Sequence, residues 1–326
     1  MPMKRHSRLT RTVVAASLLA TALAGSGIRA QQPDQKPVEP VRIDVNLVNV
    51  AFTARGPDGA LLDNLTQSDI ELFEDGVPQK IAFFARSTDL PLTLGLIVDA
   101  SGSQEHSAKQ HKHDLEIFLK EILGPKDRAF LVFFGNHLRL MSDFTENPMA
   151  IIVGMEMFDK QSGKFPELGP IPGYRDLGTA FYDSIYYSTE KLARQTGRRA
   201  LLIFSDGEDN SSSHDMMTTI EAAQRADVLL FAIRYTEKEK GHLTARNEYG
   251  IRVMDRIARE TGGEHIDAEK SDPHTYFAQI GAALRSTYEL AYYPSNTAKD
   301  DTFRKIIIKA QNPAYKIRSK TGYFSR

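Results

Sequence analysis

The chain has 326 residues, of which 41% are hydrophobic and 25% are charged, a composition typical of a globular protein with room for one large and one smaller domain. Its 41 basic residues nearly balance its 42 acidic residues, which disfavours a role in nucleic-acid binding. The absence of cysteine excludes disulfide bonds and a lipid anchor on an N-terminal cysteine, so the fold must rely on its core alone.

Residues 1–30 have the pattern of a secretory signal peptide, with lysines and arginines followed by the apolar run TVVAASLLATALAG. That run is too short to cross a bilayer comfortably. Cleavage is predicted after Ala30, ahead of a polar linker of residues 31–40. Because Ile28 stands where a small residue is preferred, cleavage after Ser26 or retention as an uncleaved anchor stays open. We expect an exported bacterial protein, periplasmic or secreted, without a membrane span once the leader is removed.

Residues 41–90 alternate apolar and polar side chains with a period near two, as in VRIDVNLVNVAFTA. Such alternation is typical of half-buried strands. The stretch IELFEDGVPQKIAFF predicts two strands joined at Asp75-Gly76, residue types that favour a turn. This N-terminal segment is therefore predicted to be all β.

Residues 91–286 alternate apolar strands with helical stretches. The strands LTLGLIV, RAFLVFF, RALLIFS and VLLFAIRY are separated by stretches such as HKHDLEIFLKEIL and TIEAAQRA, and a long insertion follows RAFLVFF. This order predicts a doubly wound, mostly parallel sheet covered by helices on both faces. After residue 286 strand patterns return, and we predict that residues 287–326 pair with residues 41–90. The expected fold class is α/β, with the parallel sheet inserted into a small β unit built from both terminal segments.

Three loops of the α/β domain carry oxygen-bearing side chains. Asp99, Ser101 and Ser103 follow the strand LTLGLIV, Asp206 follows the strand RALLIFS, and Thr179 lies at the start of a helix. In open α/β sheets the loops at the carboxyl ends of the strands form the site. Two carboxylates and three hydroxyls can supply an oxygen shell for Mg²⁺, completed by water or by an outside group. Mn²⁺ and Ca²⁺ stay open as alternatives.

Each loop also has a purely structural interpretation. Ser101 with Gln104 fits a capping box before the next helix. Thr179 could cap its own helix, and Asp206 with Gly207 could form only a turn. The metal site is favoured because all three loops fall at the same predicted edge of one sheet.

Other polar residues near these loops are assigned less specific roles. Gly102 is expected to let the first loop turn tightly. The histidines of the following helix do not all share one face, which favours a solvated polar face over a zinc site; they are His106, His111 and His113. The acidic residues that follow Asp206 are expected to be solvated loop charges; they are Glu208, Asp209 and Asp215.

The spacing Asp99-x-Ser101-x-Ser103, the pair Gly178-Thr179 and the triplet Ser205-Asp206-Gly207 resemble the von Willebrand factor type A (VWA) domain, a Rossmann-like fold with a metal-ion-dependent adhesion site. The resemblance covers residues 91–286, and the flanking segments are similar to those of bacterial exported VWFA-related proteins. It implies that five residues bind the metal, some directly and some through water: Asp99, Ser101, Ser103, Thr179 and Asp206.

The sequence departs from the VWA pattern at two places. Gln104 replaces a residue that is commonly apolar, which is expected to affect packing more than coordination. An insertion at residues 159–177 makes the loop before Thr179 unusually long. Because this insertion borders the predicted site, it is a candidate specificity element.

The resemblance implies a binding function rather than catalysis. The cation would keep one coordination position open, which a Glu or Asp side chain of a partner protein could occupy. The sequence contains none of the G-x-x-x-x-G-K-[ST], G-x-G-x-x-G, H-E-x-x-H or G-x-S-x-G motifs in a context that would indicate an enzyme. The alternatives are a metal-assisted hydrolase at the same cation and a purely structural envelope module, which would show no dependence on metal.

Overall fold

The computed structural model describes residues 47–104, 106–159, 164–169, 178–236, 238 and 240–325. The predicted signal peptide, the linker and most of the insertion at residues 159–177 lie outside this part of the chain. The strands in chain order are β1 (Val48–Arg55), β2 (Ile70–Glu74), β3 (Val77–Gln79), β4 (Ile81–Ser87), β5 (Leu92–Asp99), β6 (Arg128–Phe134), β7 (Leu138–Thr145), β8 (Arg198–Ser205), β9 (Val228–Arg234), β10 (His265–Asp267), β11 (Thr287–Tyr292), β12 (Phe303–Ala310), β13 (Lys316–Ser319) and β14 (Gly322–Phe324). The α-helices are α1 (Ala108–Glu121), α2 (Pro148–Asp159), α3 (Phe181–Ala193), α4 (Met216–Arg225), α5 (Ala245–Thr261) and α6 (Pro273–Arg285).

The central sheet has six strands in the order β10-β9-β8-β5-β6-β7. All neighbouring pairs are parallel except β6 and β7, which are antiparallel. Counted from β5, this is the 3-2-1-4-5-6 order of doubly wound sheets. The chain leaves β5 toward β6 on one side and later returns to β8 on the other, so the strand order reverses between β5 and β8.

The central strands are buried because helices cover both faces of the sheet. All residues of β5 and of β9 are buried, as expected for the continuous apolar runs of parallel strands. One face packs against α1, α2 and α6, with Phe118 and Phe277 in its core. The other face packs against α3, α4 and α5, with Ile185 and Ile257 in its core. The predicted fold class of a doubly wound α/β sheet is confirmed.

Part of the long insertion that follows β6 is regular structure, which the sequence pattern did not predict. Strand β7 and helix α2 occupy residues 138–159, and β7 pairs with β6 through shifts in register. The burial of β7 does not alternate regularly, so its sequence lacks the period of two. Residues 164–169 cover its outer edge, since Leu140 N donates to Pro166 O at 2.9 Å and Leu168 N donates to Leu138 O at 2.9 Å.

The terminal segments pair with each other in two antiparallel sheets, with the orders β13-β1-β11-β4 and β14-β12-β2-β3. Val50 pairs with Leu290 in the first sheet, and Leu72 pairs with Ile308 in the second. All four side chains belong to one hydrophobic core between the sheets. The β unit built from both terminal segments therefore consists of two packed sheets.

The turn between β2 and β3 has the geometry that its sequence favours. Asp75 has φ 48° and Gly76 has φ 82°, and Glu74 pairs with Val77 across them. Two consecutive positive φ angles are the mark of a two-residue hairpin turn, for which Asp-Gly is a preferred pair. Within the described part of the chain, no helix is both long enough and apolar enough to cross a membrane.

Candidate functional site

The first candidate ligand, Asp99, ends the buried strand β5 at the point where the strand order reverses. Only 1% of its surface is exposed. Its Oδ1 accepts a hydrogen bond from the backbone N–H of Ser101 at 2.9 Å, and its Oδ2 accepts one from Ser205 Oγ at 2.6 Å. Among the described residues these donors are neutral, so the carboxylate is buried beside groups that cannot balance its charge.

The second carboxylate, Asp206, directly follows β8 and is 4% exposed. Its Oδ1 accepts a hydrogen bond from the Glu208 N–H at 3.0 Å, and its Oδ2 accepts one from Gln104 Nε2 at 2.8 Å. Burial, and next the charge of Asp206, raise the pKa of the Asp99 carboxyl to about 7. Two buried carboxylates repel each other when both are ionised, and a bound cation removes that penalty.

Two glycines allow helix α5 to approach the loop after β8. Gly207 has φ 81°, a conformation that favours glycine. A Cβ atom on Gly250 of α5 would lie 2.3 Å from the carbonyl oxygen of Asp206. The helix therefore holds the backbone of Asp206 in place, and only glycine fits at the contact.

Thr179 is held at the same edge of the sheet through its backbone. Its N–H donates to Asn210 Oδ1 at 2.7 Å, and its carbonyl oxygen accepts from the N–H of Asn210 at 3.1 Å and of Ser211 at 3.2 Å. The next residue, Ala180, donates from its N–H to Gly135 O at 2.8 Å. These contacts join the loop before α3 to the loop after β8 and to the end of β6.

The end of β6 is in turn tied to the loop after β5, because Ala100 N donates to Phe134 O at 2.7 Å. All three loops predicted to carry ligands therefore meet at the carboxyl ends of the parallel strands. Ser101 is half-buried in the first of them. Ser103 lies in a 3-10 helix, Gly102–Gln104, but its side chain is outside the described part of the structure.

The capping interpretations do not match the observed contacts. The Ser101 N–H donates to Asp99 and the Gln104 amide donates to Asp206, which leaves no capping box between Ser101 and Gln104. Helix α3 has Ala180 rather than Thr179 as its N-cap. The turn interpretation holds in part, because the Asp206 side chain does accept from the N–H two residues later.

One expectation about the first loop is wrong. Gly102 has no positive φ, and a Cβ atom there would meet nothing within 4 Å, so glycine is not required for the turn. The expectation that Gln104 affects packing more than coordination stays a prediction; in the structure its amide donates to the carboxylate of Asp206. Its contact residue is 102 positions away in the sequence, and no local pattern indicates it.

Two of the three acidic residues after Asp206, Glu208 and Asp209, are less solvated than predicted, whereas Asp215 is exposed as expected. Glu208 is 6% exposed and forms an ion pair with Arg246 at 2.6 Å; burial, and next the charge of Asp206, raise the pKa of its carboxyl. Asp209 is partly buried and accepts from the N–H of Tyr182 at 3.3 Å. Asp215 is exposed and accepts from the N–H of Thr218, capping α4.

His111 lies in the core rather than on the predicted solvated face, with 1% of its surface exposed. Its ring meets the ring of Tyr235 edge-on at 4.3 Å between centroids, and burial lowers its pKa to about 4. The spacing to Leu115 and Phe118 on the same helix, four and seven residues on, is the signal that could have placed it in the core.

The chemistry of the site is that of an oxygen-ligand set. Among the described residues, no group of three or more His, Cys, Asp or Glu is arranged to hold a metal ion. Asp99 and Asp206 supply two carboxylates, and the other predicted ligands, Ser101, Ser103 and Thr179, would supply hydroxyls. Hard cations such as Mg²⁺, Mn²⁺ and Ca²⁺ suit such a set, whereas zinc sites use nitrogen and sulfur.

The sheet order, the helices on both faces and the position of the Asp-x-Ser-x-Ser loop at the switch point define a VWA-like fold. No protein-family model and no curated protein matches the sequence. Solved structures that match part of the chain do exist.

Three solved structures illustrate the likeness. An aerotolerance-related membrane protein from Bacteroides fragilis is 13% identical and covers 59% of this chain and 98% of its own, with a TM-score of 0.44. The conserved hypothetical protein BatB from Bacteroides thetaiotaomicron is 16% identical over 58% of this chain and 95% of its own, with a TM-score of 0.41. The SpRpn10 VWA domain is 14% identical over 58% of this chain and 95% of its own, with a TM-score of 0.37. At these identities the likeness concerns the fold alone.

Proposed function

We propose that the protein binds a divalent cation through Asp99, Ser101, Ser103, Thr179 and Asp206 and uses it to bind a partner protein. The observation that carries this proposal is the buried carboxylate of Asp99, which within the described part of the chain accepts hydrogen bonds from neutral donors and lies near the second buried carboxylate, Asp206. A buried charge without a compensating partner is costly, and a cation between the two acids supplies that partner.

The bound cation would be Mg²⁺ or Mn²⁺, with Ca²⁺ as an alternative, because carboxylates and hydroxyls are ligands for hard cations. When bound, it offers an electrophilic position to a Glu or Asp side chain of the partner. The site lies at loops on the edge of a rigid sheet, which is where α/β proteins place their ligand sites. The protein's role in this proposal is binding and not catalysis.

Calorimetric titration of Mg²⁺ and Mn²⁺ into chelator-treated protein tests the metal site. We expect saturable binding by the wild type and none by Asp99→Asn, which keeps the shape of the side chain but removes its charge. Glu74→Gln is the matched control, because Glu74 is a buried carboxylate at 2% exposure in the β unit. Loss of binding in both variants, or in neither, would contradict the assignment of Asp99.

The partner is tested by capture from a bacterial envelope extract on the immobilised protein. We expect a protein that is retained with Mg²⁺, released by a chelator, and not retained by Asp99→Asn. Replacing the contacting Glu or Asp of that protein by its amide should abolish the interaction. Hydrolysis of a phosphate ester or peptide that disappears with Asp99→Asn would instead favour a metal-assisted hydrolase, and metal independence throughout would favour a structural module.

Export is proposed on the basis of the leader at residues 1–30. We expect the mature protein to begin near Gln31, outside the cytoplasm. N-terminal sequencing of the protein from the periplasm or medium checks this, and a chain that keeps its leader and fractionates with membranes would indicate an uncleaved anchor.

A further inference from the structure

A second candidate binding surface is a groove between β12, β13 and the start of β10. Its volume is about 530 Å³, and its walls include Ile307 of β12, Ile317 of β13 and residues 263–265 ahead of and within β10. Residues 263–265 lie at the amino end of β10, which runs parallel to β9. The groove is therefore at the opposite edge of the central sheet from Asp99.

Two strand edges border this groove. Strand β12 pairs with β2 along Ile306–Ala310 but with β14 only along Phe303–Lys305. Over Ile307–Ala310, no described strand pairs with the other edge of β12. Strand β13 is itself the edge strand of its sheet and pairs only with β1 among the described strands. Unpaired edges are templates for the addition of a further strand.

The direction of the β12 backbone groups is fixed by a neighbouring contact. Ile306 N donates to Thr321 O at 2.8 Å, on the side of β12 away from β2. Because alternate residues of a strand direct their backbone groups to the same side, the N–H groups of Ile308 and Ala310 point away from β2, and Ile308 lines the groove. An extended peptide lying there could accept from them.

The walls of the groove carry an excess of positive charge. Six basic residues line it against two acidic ones, Asp255 and Glu264. The basic residues are Arg55, Arg259, Lys305, Lys316, Arg318 and Lys320.

The two acids are shared among several of these basic residues. Arg55 and Arg318 both reach Glu264, at 3.5 and 3.4 Å, and Arg259 pairs with Asp255 at 2.6 Å. Lys305 and Lys316 are exposed and form no ion pair within the described part of the chain. The groove therefore has cationic groups available to an anionic ligand.

We propose that this groove binds an acidic segment of a partner protein in an extended conformation, added as a strand to the free edge of β12. The strand edge supplies main-chain hydrogen bonds, and Lys305 and Lys316 supply charge complementarity. A second copy of the groove would be repelled by like charge. This site is separate from the proposed metal site, and binding at the groove requires no metal.

The test uses a fluorescent heptapeptide that alternates Glu and Val, measured by anisotropy with the purified protein at physiological salt. We expect saturable binding that is unaffected by chelator, with a Kd that rises about tenfold or more in the double variant Lys305→Glu/Lys316→Glu. Lys309→Glu is the matched control, because Lys309 lies on the same strand but over the ring of Phe73, at 4.8 Å from its centroid. The control should change the Kd by less than about twofold. Unfolding temperatures establish whether each variant is folded. If the double variant is not folded, Lys316→Gln is used in its place.

Three further probes separate strand addition from simple charge attraction. A peptide with Lys in place of Glu should not bind, and a peptide of unchanged charge with Pro at its centre should bind more weakly, because Pro removes a donor and breaks the pairing. Hydrogen exchange of the Ile308 and Ala310 amides should slow when the Glu/Val peptide binds. An oligothymidylate serves as an anion that is not a peptide. The proposal is overturned if no peptide binds, or if the Pro peptide or the oligothymidylate binds as well as the Glu/Val peptide. It is also overturned if Lys309→Glu weakens binding as much as the double variant.

Discussion

Gln104 Nε2 donates a hydrogen bond to Asp206 Oδ2 at 2.8 Å, which connects the loop after β5 to the loop after β8. Both residues are buried, at 1% and 4% exposure. In the proposed metal site this amide competes with the cation for the same carboxylate oxygen. We therefore expect the hydrogen bond to stabilise the metal-free protein and to oppose metal binding at the proposed site.

The variant Gln104→Leu tests this competition. Removing the donor leaves a buried carboxylate with fewer partners, so the free energy of unfolding without metal should fall by about 1–3 kcal/mol. Affinity for Mg²⁺ should rise, because the cation then relieves a larger penalty. Chemical unfolding with a chelator and calorimetric Mg²⁺ titration measure the two effects.

Gln224→Leu is the control for this substitution. Gln224 is 3% exposed, and its Nε2 donates to the carbonyl oxygen of Glu260 at 2.8 Å, away from the candidate site. It should lower stability without changing Mg²⁺ affinity. A lower Mg²⁺ affinity in Gln104→Leu would mean that Gln104 positions Asp206 for the metal instead of competing with it.

Metal should stabilise the wild type against unfolding by mass action. At a hundredfold excess of Mg²⁺ over its dissociation constant, the gain is about 2.7 kcal/mol. Asp99→Ala should lose this gain while the metal-free fold keeps its stability to within about 1 kcal/mol, since the substitution also removes the repulsion with Asp206. Thermal unfolding with a chelator and with Mg²⁺ measures both quantities, and an equal metal-dependent shift in the two proteins would exclude Asp99 as a ligand.

Gly250→Ala should damage the site from the side of helix α5. The new Cβ would lie 2.3 Å from Asp206 O, a clash with backbone that no side-chain rotation can relieve. The overpacking cost of about 1–3 kcal/mol opposes a gain of about 0.8–1 kcal/mol from better helix propensity. We expect a net loss of stability together with weaker Mg²⁺ binding, measured by denaturant unfolding and calorimetry.

Gly102→Ala provides the comparison, because a Cβ at Gly102 meets nothing within 4 Å. Its stability should stay within about 0.5 kcal/mol of the wild type. If the two alanine variants behave alike, the close approach of α5 to the loop does not hold Asp206 in place.

The two sheets of the β unit are joined by a buried hydrogen bond from Tyr292 of β11 to Glu74 of β2. The Tyr292 hydroxyl donates to Glu74 Oε2 at 2.6 Å, and the Tyr323 hydroxyl donates to the same oxygen at 2.9 Å. Tyr292→Phe removes one of two donors to a buried carboxylate and should cost about 1–3 kcal/mol. Tyr293→Phe should have no effect, because Tyr293 is 57% exposed. Urea unfolding of both variants checks the difference, and equal stabilities would show that Tyr323 alone satisfies Glu74.

The sequence was sufficient to predict the central sheet and the meeting of Asp99 with Asp206. Both acids follow apolar runs, and the carboxyl ends of parallel strands share one edge. The contact between Gln104 and Asp206 could not be predicted, because it depends on the 3-10 turn that directs the amide across the switch point. Strand β7 was missed because it is an antiparallel edge strand whose register shifts against β6 and whose side chains do not alternate regularly. His111 was predicted to be solvated because histidine can carry a charge. Its spacing of four residues to Leu115, which indicates the buried face of the helix, was given less weight.

The pairing of the terminal segments also determines the order in which the chain can fold. The N–H of Leu65 donates to the hydroxyl of Tyr288, 223 residues further along the chain, and the described strands that pair with β1 are β11 and β13. During synthesis β1 therefore cannot pair with either strand, and its edges stay uncovered, until β11 has emerged. Contacts this distant slow folding and leave aggregation-prone edges exposed meanwhile, so the β unit completes last and the α/β domain is able to form before it.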